Sequence, residues 1–360
     1  MSAIEPPAAA DQAPDDQRSW SARNAWLVRG LILALVGFAA WSVWQLAGRV
    51  DWRQVGAALA GLAWWQLLVL VGMLVVRALF NAAPLAIFIP GLSLLRAVVN
   101  DLSAALLAVI APPPGDMVMR VAILRSWGVD GPQAIAGTVL NSVAFWVIRL
   151  AMPAFGFLLL LPRRYDGGYA LVALGATVAC GALVGVSVGA VRRREFAVWG
   201  ARLAGGMLAR VRRSSPPDRW VAGVLRFRED LRATGLRRLL GAAGCLGAMV
   251  VVDATILLLA LRFAGVPASA WPAHEHLAAF LVLFPLTLFP FMGLGIADAV
   301  LLATIGGYAG EVVEAGTIAA LLVWRSVTLL GPILLGTGCL AAWRRSVAGR
   351  AADDARGDVN

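Results

Sequence analysis

Residues 94–127 read LLRAVVNDLSAALLAVIAPPPGDMVMRVAILRSW, and this stretch decides the fold class. It is apolar on both sides of Pro112, Pro113 and Pro114, and a helix cannot continue through three prolines. Each flanking piece is too short to cross comfortably the roughly 30 Å hydrocarbon core of a bilayer. The stretch therefore predicts two half-helices that meet at a break inside a membrane.

The composition of the whole chain agrees with a membrane location. Of its 360 residues, 60% are apolar and only 14% are charged, and the mean hydropathy is +0.78. Soluble domains average about 25% charged residues. The composition therefore excludes a soluble globular domain, a disordered chain and a small secreted module. It predicts an all-α polytopic membrane protein.

Long apolar stretches on both sides of the broken segment predict full transmembrane helices, which need roughly 20 apolar residues each. We expect six of them, at about residues 26–46, 62–83, 132–161, 168–191, 239–264 and 312–343. A second interrupted segment, about residues 274–310, is broken at Pro290-Phe291-Met292-Gly293-Leu294-Gly295. If both interrupted segments are re-entrant hairpins, six full spans leave the two termini on the same side of the membrane.

The distribution of charge predicts the orientation. The net charge is +10, every basic residue is arginine, and thirteen arginines against four acids fall within residues 192–238. Cytoplasmic loops carry such an excess of positive charge. We therefore place this loop and both termini in the cytoplasm, with 26–343 as a transmembrane domain; a bacterial inner membrane is the expected location. Residues 1–25 are predicted to be a disordered tail, and 344–360 a short charged one.

The basic loop divides at Ser214-Ser215-Pro216-Pro217, and apolar residues recur at helical spacing on both sides of this point. This pattern predicts interfacial helices lying on an anionic leaflet, where each arginine contributes about 1 kcal/mol. The alternative is a loop that only sets the topology. Because its basic residues lie against the membrane, a nucleic-acid partner is not expected.

The two interrupted segments resemble each other. Each has an apolar half-helix, a Pro/Gly break, an acid, a second half-helix, a Gly-rich turn and a full span with one arginine. The stretch from Gly115 to Arg149 is nearly as long as the one from Gly293 to Arg325. Paired interrupted segments in two halves of a chain indicate a transport site near the bilayer midplane. The sequence therefore predicts an inverted repeat.

Ionisable side chains within the apolar stretches are the candidate functional residues, because each costs about 2.5–3.5 kcal/mol to insert into a membrane. They are Arg77, Arg96, Asp101, Asp116, Arg120, Arg149, Asp253, Asp298 and Arg325. Arg149 and Arg325 come first, since a guanidinium binds phosphate through a planar fork of donors. Two interpretations stay open: phosphate clamps facing a central cavity, or structural ion pairs with Asp253, Asp116 or Asp298.

The break glycines form a second set of candidates. Gly115, Gly293 and Gly295 are placed to permit a tight turn and a close approach to a lipid head group. The half-helix that follows each break presents free N–H groups to an anion. Asp116 and Asp298 are instead expected to cap those N–H groups. Arg120, deeper than Arg125 on the same half-helix, is a further candidate for the head group.

Metal or cofactor chemistry is not indicated. His274, Glu275 and His276 lack further ligands nearby and are interpreted as an interfacial polar turn. The cysteines, Cys180, Cys245 and Cys339, have no metal-binding spacing and are interpreted as small core residues. No catalytic residue, cofactor or ATP-binding motif is found, so transport is expected to be passive, ion-coupled or driven by a partner protein.

Several motifs resemble those of a known family. Gly115-Asp116, Arg120, Leu124-Arg125 and Gly128-Val129 match a pattern of a Pro-rich break, Gly-Glu, Arg, Leu and Gly-Ile/Val. Gly293-Leu294-Gly295 with Asp298 is similar to Pro-Gly-Gly-Leu-Gly-x-x-Glu, and Arg325 to a late arginine. The chain thus resembles, over about residues 25–345, the lysylphosphatidylglycerol synthase transmembrane region family of flippase-like integral membrane proteins.

This resemblance implies a flippase-type fold that moves an anionic phospholipid or a polyprenyl-phosphate-linked lipid between leaflets. No synthase activity is expected, because the chain ends shortly after the last predicted span. Both family glutamates are aspartates here, at 116 and 298. Two alternatives remain. One is a membrane transferase using a lipid-phosphate donor, with Asp116 or Asp298 as base. The other is a non-catalytic partner of a glycosyltransferase.

Overall fold

A computed structural model describes residues 52–110, 115–160, 217–288, 295–309 and 313–357, with Gly293 and scattered positions between 171 and 185. All regular elements in these residues are helices, which confirms the all-α class. Four stretches are long and apolar enough to cross a membrane: Trp64–Phe88, Gly131–Leu159, Gly235–Phe263 and Glu314–Ala348. The spans expected at 26–46 and 168–191 lie wholly or largely outside the described residues.

The described helices are short or long according to where glycine and proline interrupt the apolar sequence. In chain order they are α1 (Trp52–Ala60), α2 (Trp64–Phe88), α3 (Leu94–Ile110), α4 (Gly115–Ser126), α5 (Gly131–Leu160), α6 (Pro217–Phe263), α7 (Ala273–Leu283), α8 (Ile296–Ala309), α9 (Glu314–Arg325) and α10 (Gly331–Gly357). A 3₁₀ turn, Phe284–Leu288, follows α7, and a π-helical turn, Ser326–Leu330, joins α9 to α10.

Three boundaries differ from the expected ones. Helix α2 continues through Pro84, because this proline is buried and packing in a helix bundle compensates for one lost hydrogen bond. Residues 217–234, the second half of the basic loop, are helical and join the next span at a kink where Gly235 has a φ of 72°. Helix α10 extends to Gly357, so most of the expected tail is helical. The first half of the basic loop lies outside the described residues.

Helix α6 lies at the centre of the bundle. It packs against α2, α5, α7 and α9. Its buried face includes Leu246, Met249, Val250 and Leu257, each at most 1% exposed. These side chains belong to the largest apolar cluster among the described residues, which also contains Trp324 of α9. Helices α2 and α5 belong to the first half of the chain, and α7 and α9 to the second. Because α6 packs against all four, it connects the two halves.

Helices α3 and α4 form an antiparallel hairpin around the Pro-rich break. Arg96 of α3 lies over the ring of Trp127, which follows α4, and Asp101 of α3 contacts Arg120 of α4. The contacts follow one order along α3 and the reverse order along α4. The two helices are therefore antiparallel. Helix α4 has 12 residues and is thus about 18 Å long, less than the thickness of a bilayer core. Helix α4 is therefore short as expected, and its re-entrant placement in a membrane stays a prediction.

The second broken segment also reverses direction. Helix α7 and its 3₁₀ turn lead to Gly293 and Gly295, whose φ angles are 69° and 84°. Only glycine adopts such angles readily. A Cβ at Gly293 would meet the carbonyl oxygen of Leu286 on the incoming arm. Helix α8 then packs back against α7. The two glycines thus permit the tight turn that the sequence predicted.

The hairpins pack in a reciprocal pattern. The first arm of one hairpin, α3, packs against α10, which follows the other hairpin, and α7 packs in the same way against α5. A glycine permits each contact. A Cβ at Gly156 of α5 would lie 2.7 Å from the carbonyl oxygen of Ala278, and one at Gly336 of α10 would lie 2.5 Å from that of Leu102. Each half of the chain therefore packs closely against the broken segment of the other half.

Candidate functional site: a buried cluster of charges

Five charged side chains from five helices lie in the apolar interior and form a charged cluster, in which Arg149 is within electrostatic range of Arg77 and Asp253. They are Arg77 of α2, Arg149 of α5, Asp253 of α6, Asp298 of α8 and Arg325 of α9. The side chains of Arg77 and Asp298 are 11% and 14% exposed, and those of Asp253 and Arg325 are 2% and 8% exposed. Charges buried to this extent need partners, because removing them from water costs several kcal/mol per ion.

Asp253 is satisfied from two sides. Nε of Arg77 lies 3.2 Å from its Oδ2, and Nε1–H of Trp324 donates to its Oδ1 at 3.1 Å. The sequence alternatives left Asp253 as a possible partner of Arg149 or Arg325. Its ion pair is instead with Arg77, another of the ionisable candidates.

Asp298 both caps a helix and forms an ion pair. Its Oδ2 accepts the backbone N–H of Gly295 at 2.9 Å, just before α8 begins at Ile296. Its Oδ1 accepts Nε–H of Arg325 at 2.7 Å. The guanidinium of Arg325 also lies over the ring of Trp324, 4.5 Å from its centroid. The capping and ion-pair roles that the sequence left as alternatives therefore occur together at this residue.

Arg149 is held differently. It is 8% exposed, and no carboxylate among the described residues lies within 4.0 Å of its guanidinium. Its charge lies 4.2 Å from the ring centroid of Phe145 and 5.4 Å from that of Phe284. Nη1–H donates to the carbonyl oxygen of Thr287 at 3.3 Å. Aromatic faces and a carbonyl dipole thus stand where a counter-ion would be expected.

One edge of the Arg149 guanidinium remains open. Nη1 is engaged by Thr287, while Nε is buried without a hydrogen-bond partner, and Nη2 makes no hydrogen bond among the described residues. Nε–H and Nη2–H together form one of the two forks through which arginine binds carboxylate or phosphate oxygens side by side. Leaving a buried donor unsatisfied costs about 1–3 kcal/mol, and more for a charged group. The chemistry of this edge therefore suits an anion.

The cluster carries one excess positive charge. Its three arginines and two aspartates sum to +1, since guanidinium groups stay protonated in proteins. The other buried ion pair, Arg120 with Asp101 at 2.8 Å, is neutral in itself and adds nothing to this sum. Asp101 also accepts Nδ2–H of Asn81 at 2.6 Å. The unmatched charge of the cluster thus resides at Arg149, where the open edge is.

The remaining predicted site residues are distributed over the two breaks. Gly115 begins α4, and Asp116 lies in its first turn without a hydrogen bond or ion pair among the described residues. Arg120 is engaged by Asp101 and forms no ion pair with the central cluster. Of the nine ionisable candidates, the structure therefore brings together five, with Gly293 and Gly295 at the adjacent turn: Arg77, Arg149, Asp253, Asp298 and Arg325.

Sequence reasoning missed the aromatic and backbone groups of the site. Phe145 precedes Arg149 by one helical turn, and Trp324 is next to Arg325, so both were within reach of a local search around the arginines. Phe284 and Thr287 lie in the other half of the chain from Arg149. No local pattern connects such distant residues, and only the packing of α7 on α5 brings them together.

The polar turn at residues 274–276 was partly misread, because two of its residues are buried. His276 is 2% exposed; its Nδ1 accepts Nε1–H of Trp271 at 3.1 Å and its Nε2 faces the carbonyl oxygen of Ala254 at 2.8 Å. Since the indole only donates and the carbonyl only accepts, the imidazole is neutral with its proton on Nε2. His276 therefore ties α7 to α6. Among the described residues, no group of three potential ligands would hold a metal ion.

Comparison with known proteins adds no family. No model of a known protein family matches this chain, and no curated protein matches it either. The resemblance drawn from the two break motifs therefore stays a prediction, and the function has to be inferred from the charged cluster itself.

Proposed function

We propose that this protein is a lipid translocator that moves an anionic phospholipid, or a polyprenyl-phosphate-linked lipid, between the leaflets of a bacterial inner membrane. One observation carries the proposal: Arg149 is a buried cation with an open donor edge and, among the described residues, no carboxylate partner. An ionisable residue kept inside a membrane protein at such cost generally marks a pathway for substrate or ions. A lipid phosphate would supply the missing counter-ion.

The proposed binding mode follows from the open edge. Nε–H and Nη2–H of Arg149 would donate to two phosphate oxygens, while Phe145 and Phe284 cover the faces of the guanidinium. Arg325 stays paired with Asp298 in this mode and contributes through its field. The positive end of α8 beside Gly293 and Gly295 contributes in the same direction. The acyl chains would remain among the apolar helices.

The proposed mechanism uses the two hairpins as moving parts. Arg149 donates to Thr287, in the 3₁₀ turn directly before the second break, so the head-group site lies where α5 meets this hairpin. We place both hairpins as re-entrant elements, entering from opposite faces, within six full spans and with both termini cytoplasmic. The reciprocal packing of α3 on α10 and of α7 on α5 supports the inverted repeat that this arrangement requires.

A lipid-transfer assay tests the proposal. The purified protein is reconstituted in liposomes that carry a fluorescent phosphatidylglycerol, and an impermeant quencher reports the lipid remaining in the inner leaflet. Wild-type protein is expected to accelerate transfer, and Arg149→Met to reduce it to the rate of protein-free liposomes. Arg238→Met, which removes an exposed arginine outside the cluster, is the matched control and should keep the wild-type rate. Wild-type transfer by Arg149→Met would refute the proposal.

A further inference from the structure

The charge balance of the cluster bears on which phosphate it accepts. We infer that the site selects a phosphodiester head group, which carries one negative charge, over a phosphomonoester or a diphosphate, which carry more. The inference rests on the proposed function, because it assigns the substrate class of the same site.

The net charge of the cluster determines which ligand charge makes the occupied site neutral. Three arginines and two aspartates leave +1 on the cluster, so one negative charge makes the occupied site neutral. Each further charge on the ligand would be buried without compensation, and an uncompensated buried ion is strongly unfavourable. A phosphomonoester carries about −1.5 to −2 near neutral pH, because its second pKa is about 6. Neutrality is therefore reached only with a phosphodiester.

The geometry of the Arg149 fork limits the number of phosphate oxygens that it can engage. The fork at Nε and Nη2 of Arg149 faces no carboxylate among the described residues, whereas Nε of Arg77 and Nε of Arg325 each face an aspartate. One fork engages two oxygens of one phosphate. A phosphodiester has two non-bridging oxygens and is satisfied by it, but a monoester has three and a diphosphate more. The geometry of this fork and the charge of the cluster thus lead to the same ligand class.

Other buried acids do not alter this balance. Glu275 is buried, but it lies twelve residues before Thr287, about 18 Å away along the helix axis. Asp101 is compensated by Arg120. Asp116 forms no ion pair with the cluster among the described residues. The count of +1 therefore holds for the groups that surround Arg149.

Native mass spectrometry with competing lipids tests this inference. Delipidated protein is offered, at pH 8, equal amounts of phosphatidylglycerol, phosphatidic acid and cytidine diphosphate diacylglycerol with identical acyl chains. Wild-type protein is expected to retain phosphatidylglycerol at least tenfold over the other two. Asp298→Asn and Asp253→Asn each raise the cluster to +2, and either variant that folds should shift its preference towards phosphatidic acid by at least fivefold.

The outcomes separate this inference from the proposed function. Retention of all three lipids without preference, lost in Arg149→Met, would leave the translocator proposal standing and overturn the charge selectivity. A wild-type preference for phosphatidic acid, or unchanged ratios in both asparagine variants, would also overturn the selectivity alone. If wild-type protein retains none of the three lipids, both proposals are wrong.

Discussion

The two arginines that follow the two broken segments lie in different electrostatic surroundings, although the segments are built alike. Arg325 faces Asp298 at 2.7 Å, whereas Arg149 has two aromatic rings and a carbonyl. The difference begins five residues after each break glycine, where one segment has Asp298 and the other has Arg120. Because Arg120 is itself a cation, it cannot neutralise Arg149. The two halves thus share the same order of elements, but only the second half pairs its arginine with a carboxylate of its own broken segment.

The largest expected difference between the halves is in stability. Arg325→Met strands the carboxylate of Asp298 in the interior and should lower the free energy of unfolding by about 3–5 kcal/mol. Arg149→Met removes a charge that leaves no described carboxylate behind, and should be neutral or stabilising. Unfolding of both variants in the same detergent, followed by circular dichroism, checks the contrast. Equal losses in the two variants would mean that both arginines are structural.

The second prediction concerns the reciprocal packing of the halves. Gly156→Ala and Gly336→Ala each place a Cβ against a backbone carbonyl of the opposite hairpin, so each should destabilise by about 1–3 kcal/mol. Gly338→Ala, two residues further along α10, has open space at the Cβ position and should be neutral or slightly stabilising. Thermal unfolding of the three variants measures this. A loss of stability at only one of the first two positions would show that the two packing contacts do not contribute equally.

The third prediction concerns the aromatic rings next to Arg149. Phe284→Leu removes an aromatic face from Arg149, and a buried cation–π contact contributes about 0.5–2 kcal/mol. The lipid-transfer rate should therefore fall several-fold, since a tenfold change corresponds to about 1.4 kcal/mol. Phe155→Leu on α5 serves as the control, because Phe155 is exposed on the same helix. A normal rate in Phe284→Leu would show that the aromatic faces do not position the guanidinium.

The smallest expected effect is at Asp116, which the sequence placed in parallel with Asp298. Asp116 lies in the first turn of α4 without an ion pair among the described residues, so Asp116→Ala should lose only its interaction with the helix dipole, about 0.3–1 kcal/mol. Asp298→Ala should lose both a cap and a salt bridge. Unfolding free energies of the two variants make the comparison. A loss at Asp116 as large as that at Asp298 would show that the acids are equivalent after all.

The sequence was sufficient for the helical class and for the burial of Arg149 and Arg325, because charges are conspicuous in apolar runs. It was not sufficient for the pairing of charges. Arg77 pairs with Asp253, and Arg149 with the carbonyl of Thr287, across the two halves of the chain. Such contacts depend on which helices pack together, and in apolar sequences of similar composition many packings satisfy the same pattern. The sequence therefore identified both arginines but could not distinguish their roles.

The most direct test of the central claim is the response of Arg149 to an anionic lipid. Delipidated wild-type protein and Arg149→Met are unfolded by heat with and without dioctanoyl phosphatidylglycerol, and dioctanoylglycerol, which lacks the phosphate, is the control. A ligand present at about 100 times its Kd stabilises the folded state by about 2.7 kcal/mol. The wild-type protein should be stabilised by phosphatidylglycerol alone, and Arg149→Met by neither lipid. Equal stabilisation of both proteins by phosphatidylglycerol would contradict the assignment of Arg149 as the residue that binds the phosphate.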